Sequence, residues 1–259
     1  MNSVNKNEER DIKQAEDILF DEWSLRRHPF ATDGCADPKM YSEATKKIVF
    51  ALKERNWGHS KQDQIELQLS GRAEKEECRY FFNGWWTMMA QWADVLLSDH
   101  IYESWHKIQS SFIPSSTIED RDKWVQERNK ESLGKCACIQ LKKAPGGGGI
   151  NKEDFFTVVK EDKDFVLRQL SIYSPHFIIS CGSNDNWAAF TNILFEKPTI
   201  NRTNNGINYF LVQLNDSDHK TAVINFGHPS MRVNATLWGA LAFGLREALA
   251  EVFPQLHRA

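Results

Sequence analysis

A short passage near the end of the chain concentrates side chains that can do chemistry. Residues 225–234 read Asn-Phe-Gly-His-Pro-Ser-Met-Arg-Val-Asn. Histidine is the side chain whose charge changes most readily near neutral pH, so His228 is the first candidate for a reactive group. The passage also has an ordinary interpretation, in which His228 is a structural histidine, Pro229 and Ser230 form a turn and Arg232 is a solvated charge.

The elements on either side would hold this passage at the edge of a sheet. Residues 221–226 form a β-branched, apolar run that predicts a buried strand. Residues 235–252 carry leucines at helical spacing, and Asn234 is placed to cap the first turn. The passage therefore follows the carboxyl end of a strand, where ligands bind in open α/β sheets.

Two further strands are predicted to end in charged segments. The apolar run 47–52 leads into Lys-Glu-Arg-Asn-Trp-Gly, and the run 136–141 leads into Lys142, Lys143 and a run of four glycines at 146–149. Each segment has an ordinary interpretation too: the first as a solvated turn, the second as a flexible loop. The glycines would also let backbone N–H groups approach a phosphate, although the run matches neither common nucleotide-binding signature.

Composition limits the class of protein. The chain has 259 residues, 41% hydrophobic and 26% charged, which predicts one domain with an appendage. A polar N-terminus and the lack of a long apolar run predict a cytoplasmic protein without a membrane segment. The net charge is −3, so any contact with DNA must come from local basic patches. The five scattered cysteines are expected to be small buried side chains rather than metal ligands.

Helices alternate with short apolar strands along most of the chain. This alternation predicts an α/β fold with a mainly parallel sheet that helices cover on both faces. Residues up to about 23 are predicted to be helical, and residues 24–40 irregular. We therefore expect an N-terminal helical extension, 1–45, and an α/β domain, 46–259.

Five motifs in this order resemble those of the uracil-DNA glycosylase superfamily. The family has a GEAPG or GxNPG motif after a strand, an aromatic turn and helix, a strand entering a polar loop, a PxxIIxxG strand, and HPS before the last helix. The resemblance covers roughly residues 47–259 and leaves the first forty or so outside. The corresponding segments here are 52–57, 81–84, 140–145, 175–182 and 228–230.

The resemblance implies a three-layer α/β/α fold with a central, mainly parallel sheet of four to five strands. It also implies a monofunctional DNA glycosylase, which flips a base out of the duplex and hydrolyses its N-glycosidic bond to leave an abasic site. Neither a cofactor nor a metal is expected, since the four cysteines of the iron-sulfur branch are absent. The expected partner is damaged or phage DNA, and the protein is expected to be a monomer.

The resemblance also assigns roles to individual residues. Glu54 would position the attacking water and stabilise an oxocarbenium-like sugar, with Asn56 as the alternative water-positioning residue near the base. His228 would hydrogen-bond the leaving base. Phe82 would stack on the flipped base, and Gln140 would read its polar edge. The residues expected to contact DNA are Lys142, Lys143, Gly147, Ser230, Met231 and Arg232, of which Met231 and Arg232 would fill the space that the nucleotide leaves.

Because the chain departs from the family pattern, the resemblance does not identify which base is removed. The first motif lacks the Pro and the following Gly of GEAPG, and Gln140 is longer than the Asn common in the family. Plain uracil and a larger or modified base both remain candidates. Some divergent bacterial relatives of the superfamily remove glucosylated hydroxymethylcytosine from phage DNA in anti-phage defence, and the glycine-rich surroundings would suit that substrate.

Two other classes of protein stay open. The first is an inactive binding module of the same fold that recognises a modified base or an abasic site. The second is an unrelated doubly wound nucleotide-binding domain or hydrolase, although the chain has neither GxSxG nor a phosphate-loop signature.

Overall fold

A computed structural model describes most of the chain and gives the arrangement of its sheet and helices. The described residues are 5–28, 30, 32–56, 84–97, 130–146, 151–182, 184–214, 220–227 and 235–257.

Seven strands and seven α-helices can be followed in the described residues. The strands are β1 (Gly34–Cys35), β2 (Ile48–Asn56), β3 (Cys136–Gly146), β4 (Phe177–Cys181), β5 (Asn201–Arg202), β6 (Asn208–Val212) and β7 (Thr221–Phe226). The helices are α1 (Asn5–Arg26), α2 (Pro38–Glu43), α3 (Gly84–Leu97), α4 (Lys152–Glu161), α5 (Lys163–Tyr173), α6 (Asn184–Ala189) and α7 (Ala235–Val252). A π-helical turn, Phe190–Leu194, continues α6, and a 3₁₀ turn, Pro254–His257, follows α7.

The strands form one mixed sheet in the order β1-β3-β2-β4-β7-β6-β5. Its centre, β3-β2-β4-β7, is parallel, whereas β1 at one edge and β6 and β5 at the other are antiparallel. The α/β class is therefore confirmed, but the expected size of four to five strands is wrong. The two extra edge strands, β1 and β5, are two residues long, and a pair of residues has no hydrophobic periodicity that a sequence could reveal.

Helices cover both faces of the sheet because its central strands are apolar on both sides. Alternate residues of β2 show this arrangement: Ile48 and Phe50 are buried in one cluster with Trp92 of α3, while Val49 is buried in the opposite cluster with Phe155 of α4. A strand that buries both of its faces is typical of parallel sheets between two helical layers. The described helices α3 and α7 contribute to the first cluster, and α1, α4, α5 and α6 to the second.

The first part of the chain shares the core of the rest. Trp23 of α1 is fully buried and stacks on Phe165 of α5 with ring centroids 5.3 Å apart. Arg27, just after α1, donates to both carboxylate oxygens of the fully buried Asp162, at 3.0 and 2.9 Å. The segment expected to be an extension thus packs on the sheet and adds β1 to it.

The two strands that approach the candidate site are longer than the apolar runs that predicted them. β2 continues past residue 52 to Asn56, and β3 continues past residue 141 to Gly146. The two strands pair in parallel as far as Glu54 with Lys142 and Asn56 with Gly146, with a register shift between these pairs. The charged segments expected to be a turn and a loop therefore begin as sheet, because backbone pairing continues after the apolar side chains end.

Candidate functional site

The strand order marks one place at the carboxyl edge of the sheet where a ligand would fit. From β2 the chain crosses to β3 on one side, and from β4 it crosses to β7 on the other side. In open α/β sheets, this reversal leaves a crevice between the two neighbouring strands. The pairing of β2 with β4 ends at Ala51 and Ser180, although β2 itself continues to Asn56. A crevice between the two strands is therefore expected just past Ala51.

Asn186 joins the two strands where they separate. Its Nδ2 donates to the carbonyl of Ala51 on β2 at 3.1 Å and to the carbonyl of Cys181 on β4 at 2.7 Å. Asn186 is fully buried, and its Oδ1 has no hydrogen-bond partner within the described ranges; the same holds for Oγ of Ser180. The floor of the crevice is thus held by one amide and keeps unused hydrogen-bonding capacity beside it.

Replacing Asn186 with alanine is expected to lower the free energy of unfolding by about 2 kcal/mol, because two buried carbonyls lose their donor. Urea unfolding of the wild type and the variant measures this difference. Asn184→Ala is the matched control, since Asn184 lies on the same helix and is exposed. Equal losses in the two variants would show that Asn186 does not hold the strands together.

A group of ion pairs lies next to this junction. Nζ of Lys53 is 2.9 Å from Oδ2 of Asp185 and 4.7 Å from the ring centroid of Phe155. Lys152, which is mostly exposed, approaches Oδ1 of the same carboxylate at 3.4 Å. Desolvation acts to raise the pKa of Asp185, but hydrogen bonds and charge from Lys53 and Lys152 outweigh it and hold that pKa below its usual value. Asp185 is therefore a fixed anion between two cations.

Five of the predicted site residues lie along β2 and β3: Glu54, Asn56, Gln140, Lys142 and Lys143. Glu54 and Asn56 lie in the last part of β2, and Glu54 is the register partner of Lys142. Gln140 is the register partner of Leu52, two residues earlier on each strand. It is 7% exposed, and its side-chain amide makes no hydrogen bond to another described residue. A side-chain amide carries both donors and an acceptor, so Gln140 is suited to reading the polar edge of a ligand.

The two lysines that follow Gln140 have partners within the protein. Nζ of Lys143 lies 2.5 Å from both oxygens of Asp33, and Lys143 is 1% exposed. The prediction that Lys143 contacts DNA is therefore wrong, because its charge is buried and paired. Nζ of Lys142 lies 2.5 Å from Oδ2 of Asp154, and 6% of the Lys142 side chain is exposed. A DNA contact by Lys142 stays a prediction.

The remaining predicted residues lie outside the described part of the chain. They are Phe82, Gly147, His228, Ser230, Met231 and Arg232. The strand that leads to His228 is confirmed at Thr221–Phe226, and the helix after the passage is confirmed at Ala235–Val252.

Asp185 and Asn186 were not identified from the sequence as candidate site residues, although their position in the sequence indicated it. Residues 184–186 read Asn-Asp-Asn and lie just after the strand motif at 175–182. Polar residues just past the carboxyl end of a central strand are candidates for a site whatever their motif. Only the fold shows that Asn186 reaches back to two strands.

Asp33 and Lys143 belong to a buried polar cluster behind the site. Nε2 of Gln169 donates to Oδ1 of Asp33 at 2.8 Å and to the hydroxyl of Tyr173 at 3.1 Å. That hydroxyl donates to Oε1 of Glu16 at 2.6 Å, and Glu16 lies on α1. Four elements, α1, β3, α5 and the segment before β1, therefore meet through hydrogen bonds around two carboxyl groups.

The described cysteines do not form part of a reactive centre. The thiols of Cys35, Cys136, Cys138 and Cys181 are free and buried, and burial raises the pKa of each. A thiol with a raised pKa is a poor nucleophile at neutral pH. The prediction that these cysteines are small buried side chains is confirmed for these four.

Two kinds of feature are absent from the described residues. No group of three His, Cys, Asp or Glu side chains there is arranged to hold a metal ion. No helix in the same part of the chain is both long enough and apolar enough to cross a bilayer.

Comparisons with known proteins returned no match. No protein-family model, curated protein or solved structure is significantly similar to this chain.

Proposed function

We propose that this chain is a DNA glycosylase of the uracil-DNA glycosylase type, which hydrolyses the bond between a flipped base and its sugar. The proposal combines the order of the five sequence motifs with the geometry of the sheet edge. The observation that carries it is that the segments of Glu54 and Gln140 are register neighbours at the carboxyl edge, beside the crevice between β2 and β4.

The width of this edge supports the proposal. β2 and β7 are separated by a single strand, β4. Since neighbouring strands lie about 4.8 Å apart, the ends of β2 and β7 are separated by about 10 Å. A nucleobase fits between groups at that separation. Gly182, directly after β4, has a φ of 136° and carries no side chain, so it leaves the space above β4 open.

In this proposal Glu54 and His228 lie on either side of the base and have different roles in the reaction. Glu54, at the end of β2, positions and activates the water that attacks the sugar. His228, two residues after the end of β7, donates a hydrogen bond to the base as it leaves with negative charge. Gln140 reads the polar edge of the base, and Phe82 stacks on its face. Ser230, Met231, Arg232 and Gly147 contact the DNA strand.

The proposal is tested with more than one base, because Gln140 and the first motif depart from the family pattern. The substrates are duplex DNA that carries uracil and phage DNA that carries glucosylated hydroxymethylcytosine, with unmodified duplex as the control. We expect abasic sites, detected by alkaline strand cleavage, in at least one of the first two and in none of the third. Tight binding of a modified base without product would instead indicate a binding module, and intact, unbound substrates would contradict the proposal.

A further inference from the structure

The end of β3 is held on its outer side by a side chain and not by a strand. β1 pairs with β3 only at Gly34 with Cys138 and at Cys35 with Ala137. Two residues further along β3, the backbone N–H of Gln140 donates to Oδ2 of Asp33 at 2.6 Å. Because β1 is antiparallel to β3, the carboxylate takes the place that the residues before Gly34 would occupy if the pairing continued.

The same carboxylate also holds β3 at a second point. Both of its oxygens accept from Nζ of Lys143, three residues after Gln140. Nε2 of Gln169, on α5, also donates to Oδ1 at 2.8 Å. Asp33 is 3% exposed. Hydrogen bonds to an ionised acceptor are short and strong, so this group, which we call the Asp33 clamp, fixes the segment from Gln140 to Lys143.

The clamp depends on the first part of the chain. Nζ of Lys143 lies 5.0 Å from the ring of Trp23 and 6.0 Å from the ring of Phe20, both on α1. These rings cover the buried cation and interact favourably with it. α1 therefore encloses the ion pair that sets the position of β3.

We infer that Asp33 is a positioning residue for the site, which acts by fixing the backbone of Gln140 and so the orientation of its side-chain amide. This inference rests on the proposed function, in which Gln140 reads the base. It assigns the N-terminal segment a role in base selection, although that segment lies outside the family resemblance.

Paired substitutions separate positioning from stability. Replacing Asp33 alone would leave Lys143 buried without its counter-ion, which destabilises a protein for reasons unrelated to Gln140. Both test variants therefore also carry Lys143→Met. Asp33→Asn/Lys143→Met keeps a side-chain oxygen for the Gln140 N–H, whereas Asp33→Leu/Lys143→Met has similar volume and offers no acceptor.

Amide hydrogen exchange measures the clamp without any substrate. We expect the Gln140 amide to exchange at least about tenfold faster in the Leu/Met variant than in the Asn/Met variant, because only the former loses the acceptor. Amides of the central strand β4 should exchange at equal rates in the two variants. Equal rates at Gln140 overturn the clamp, and faster exchange throughout the sheet shows general loosening and overturns it too.

Kinetics on the two modified DNAs then test the role in base selection. We expect the Leu/Met variant to change the ratio of kcat/KM between uracil DNA and glucosylated phage DNA by at least about fivefold relative to the Asn/Met variant, through KM more than kcat. An unchanged ratio in a variant with faster Gln140 exchange overturns the positioning role. If the wild type excises neither base, the proposed function and the role in selection fail together, while the exchange result still decides whether the clamp exists.

Discussion

Replacing Glu54 with glutamine is expected to slow base excision by about 10²- to 10⁴-fold, the range over which a positioned general base contributes. Glutamine keeps the size and the hydrogen-bonding oxygen of glutamate but cannot take a proton from water. In the proposed reaction it also removes the negative charge beside a sugar that becomes cationic in the transition state. Single-turnover rates on the base that the wild type removes fastest measure the effect.

The matched control for this substitution is Glu131→Gln. Glu131 is an exposed glutamate that pairs with Lys135 just before β3, at the opposite edge of the sheet from the crevice. The control should keep the wild-type rate, and both variants should keep the wild-type unfolding curve. A Glu54→Gln variant that excises the base within about threefold of the wild-type rate contradicts the proposed role, because a lost general base costs far more.

Replacing Glu16 with glutamine is expected to remove most of the pH dependence of stability between pH 5 and pH 8. Burial is the largest influence on Glu16 and raises its pKa from 4.5 to about 7. Hydrogen bonds from the Tyr173 hydroxyl and the Cys35 backbone amide lower this pKa in part, and the charges of Asp33 and Asp17 raise it. The folded protein thus binds the Glu16 proton more tightly than the unfolded chain does.

The sign of the effect follows from this difference in proton binding. The contribution of protonated Glu16 to stability is complete below pH 4.5 and is lost as the pH rises to about 7. At 1.36 kcal/mol per pKa unit, the wild type should lose about 3 kcal/mol of unfolding free energy over this interval. Glutamine carries no charge at any pH and keeps an oxygen for Tyr173 and Cys35. The variant should therefore be more stable than the wild type at pH 8.

Urea unfolding at pH 5, 6, 7 and 8 tests this expectation. Glu22→Gln is the control on the same helix, since a hydrogen bond from Arg168 is the main influence on Glu22 and lowers its pKa. The pKa of Glu22 is shifted in the opposite direction to that of Glu16. The contribution of Glu22 to stability is therefore present between pH 5 and pH 8 and is lost only at lower pH. Parallel curves for the wild type and Glu16→Gln across all four pH values would show that Glu16 is ionised in the folded protein throughout.

These two carboxyl groups belong to separate parts of the molecule. Glu54 lies at the carboxyl edge of the sheet, and Glu16 lies on the helix that covers the buried polar cluster. A change in pH near neutrality should therefore alter stability through Glu16 even if the chemistry at Glu54 is absent. Unfolding measured beside excision at each pH separates the two effects.

The sequence alone determined the fold class and the central strands. Apolar runs with β-branched residues predicted β4 and β7, and leucines at helical spacing predicted α7. These patterns are local, because a strand or helix buried on one or both faces must repeat apolar side chains at its own period. The sequence also placed Glu54, Gln140 and the passage around His228 just at or after the ends of central strands.

Only the tertiary structure decided how the polar side chains are paired. Asp33 and Lys143 are 110 positions apart, and nothing near either residue shows that one neutralises the other. Asn186 likewise reaches carbonyls on two strands that are far apart in sequence. Apolar burial leaves a periodic trace along the chain, whereas a hydrogen bond or ion pair depends on one particular partner that the fold brings into contact. For that reason the sequence could predict the strands whose ends form the candidate site, while the hydrogen bonds and ion pairs beside it became visible only in three dimensions.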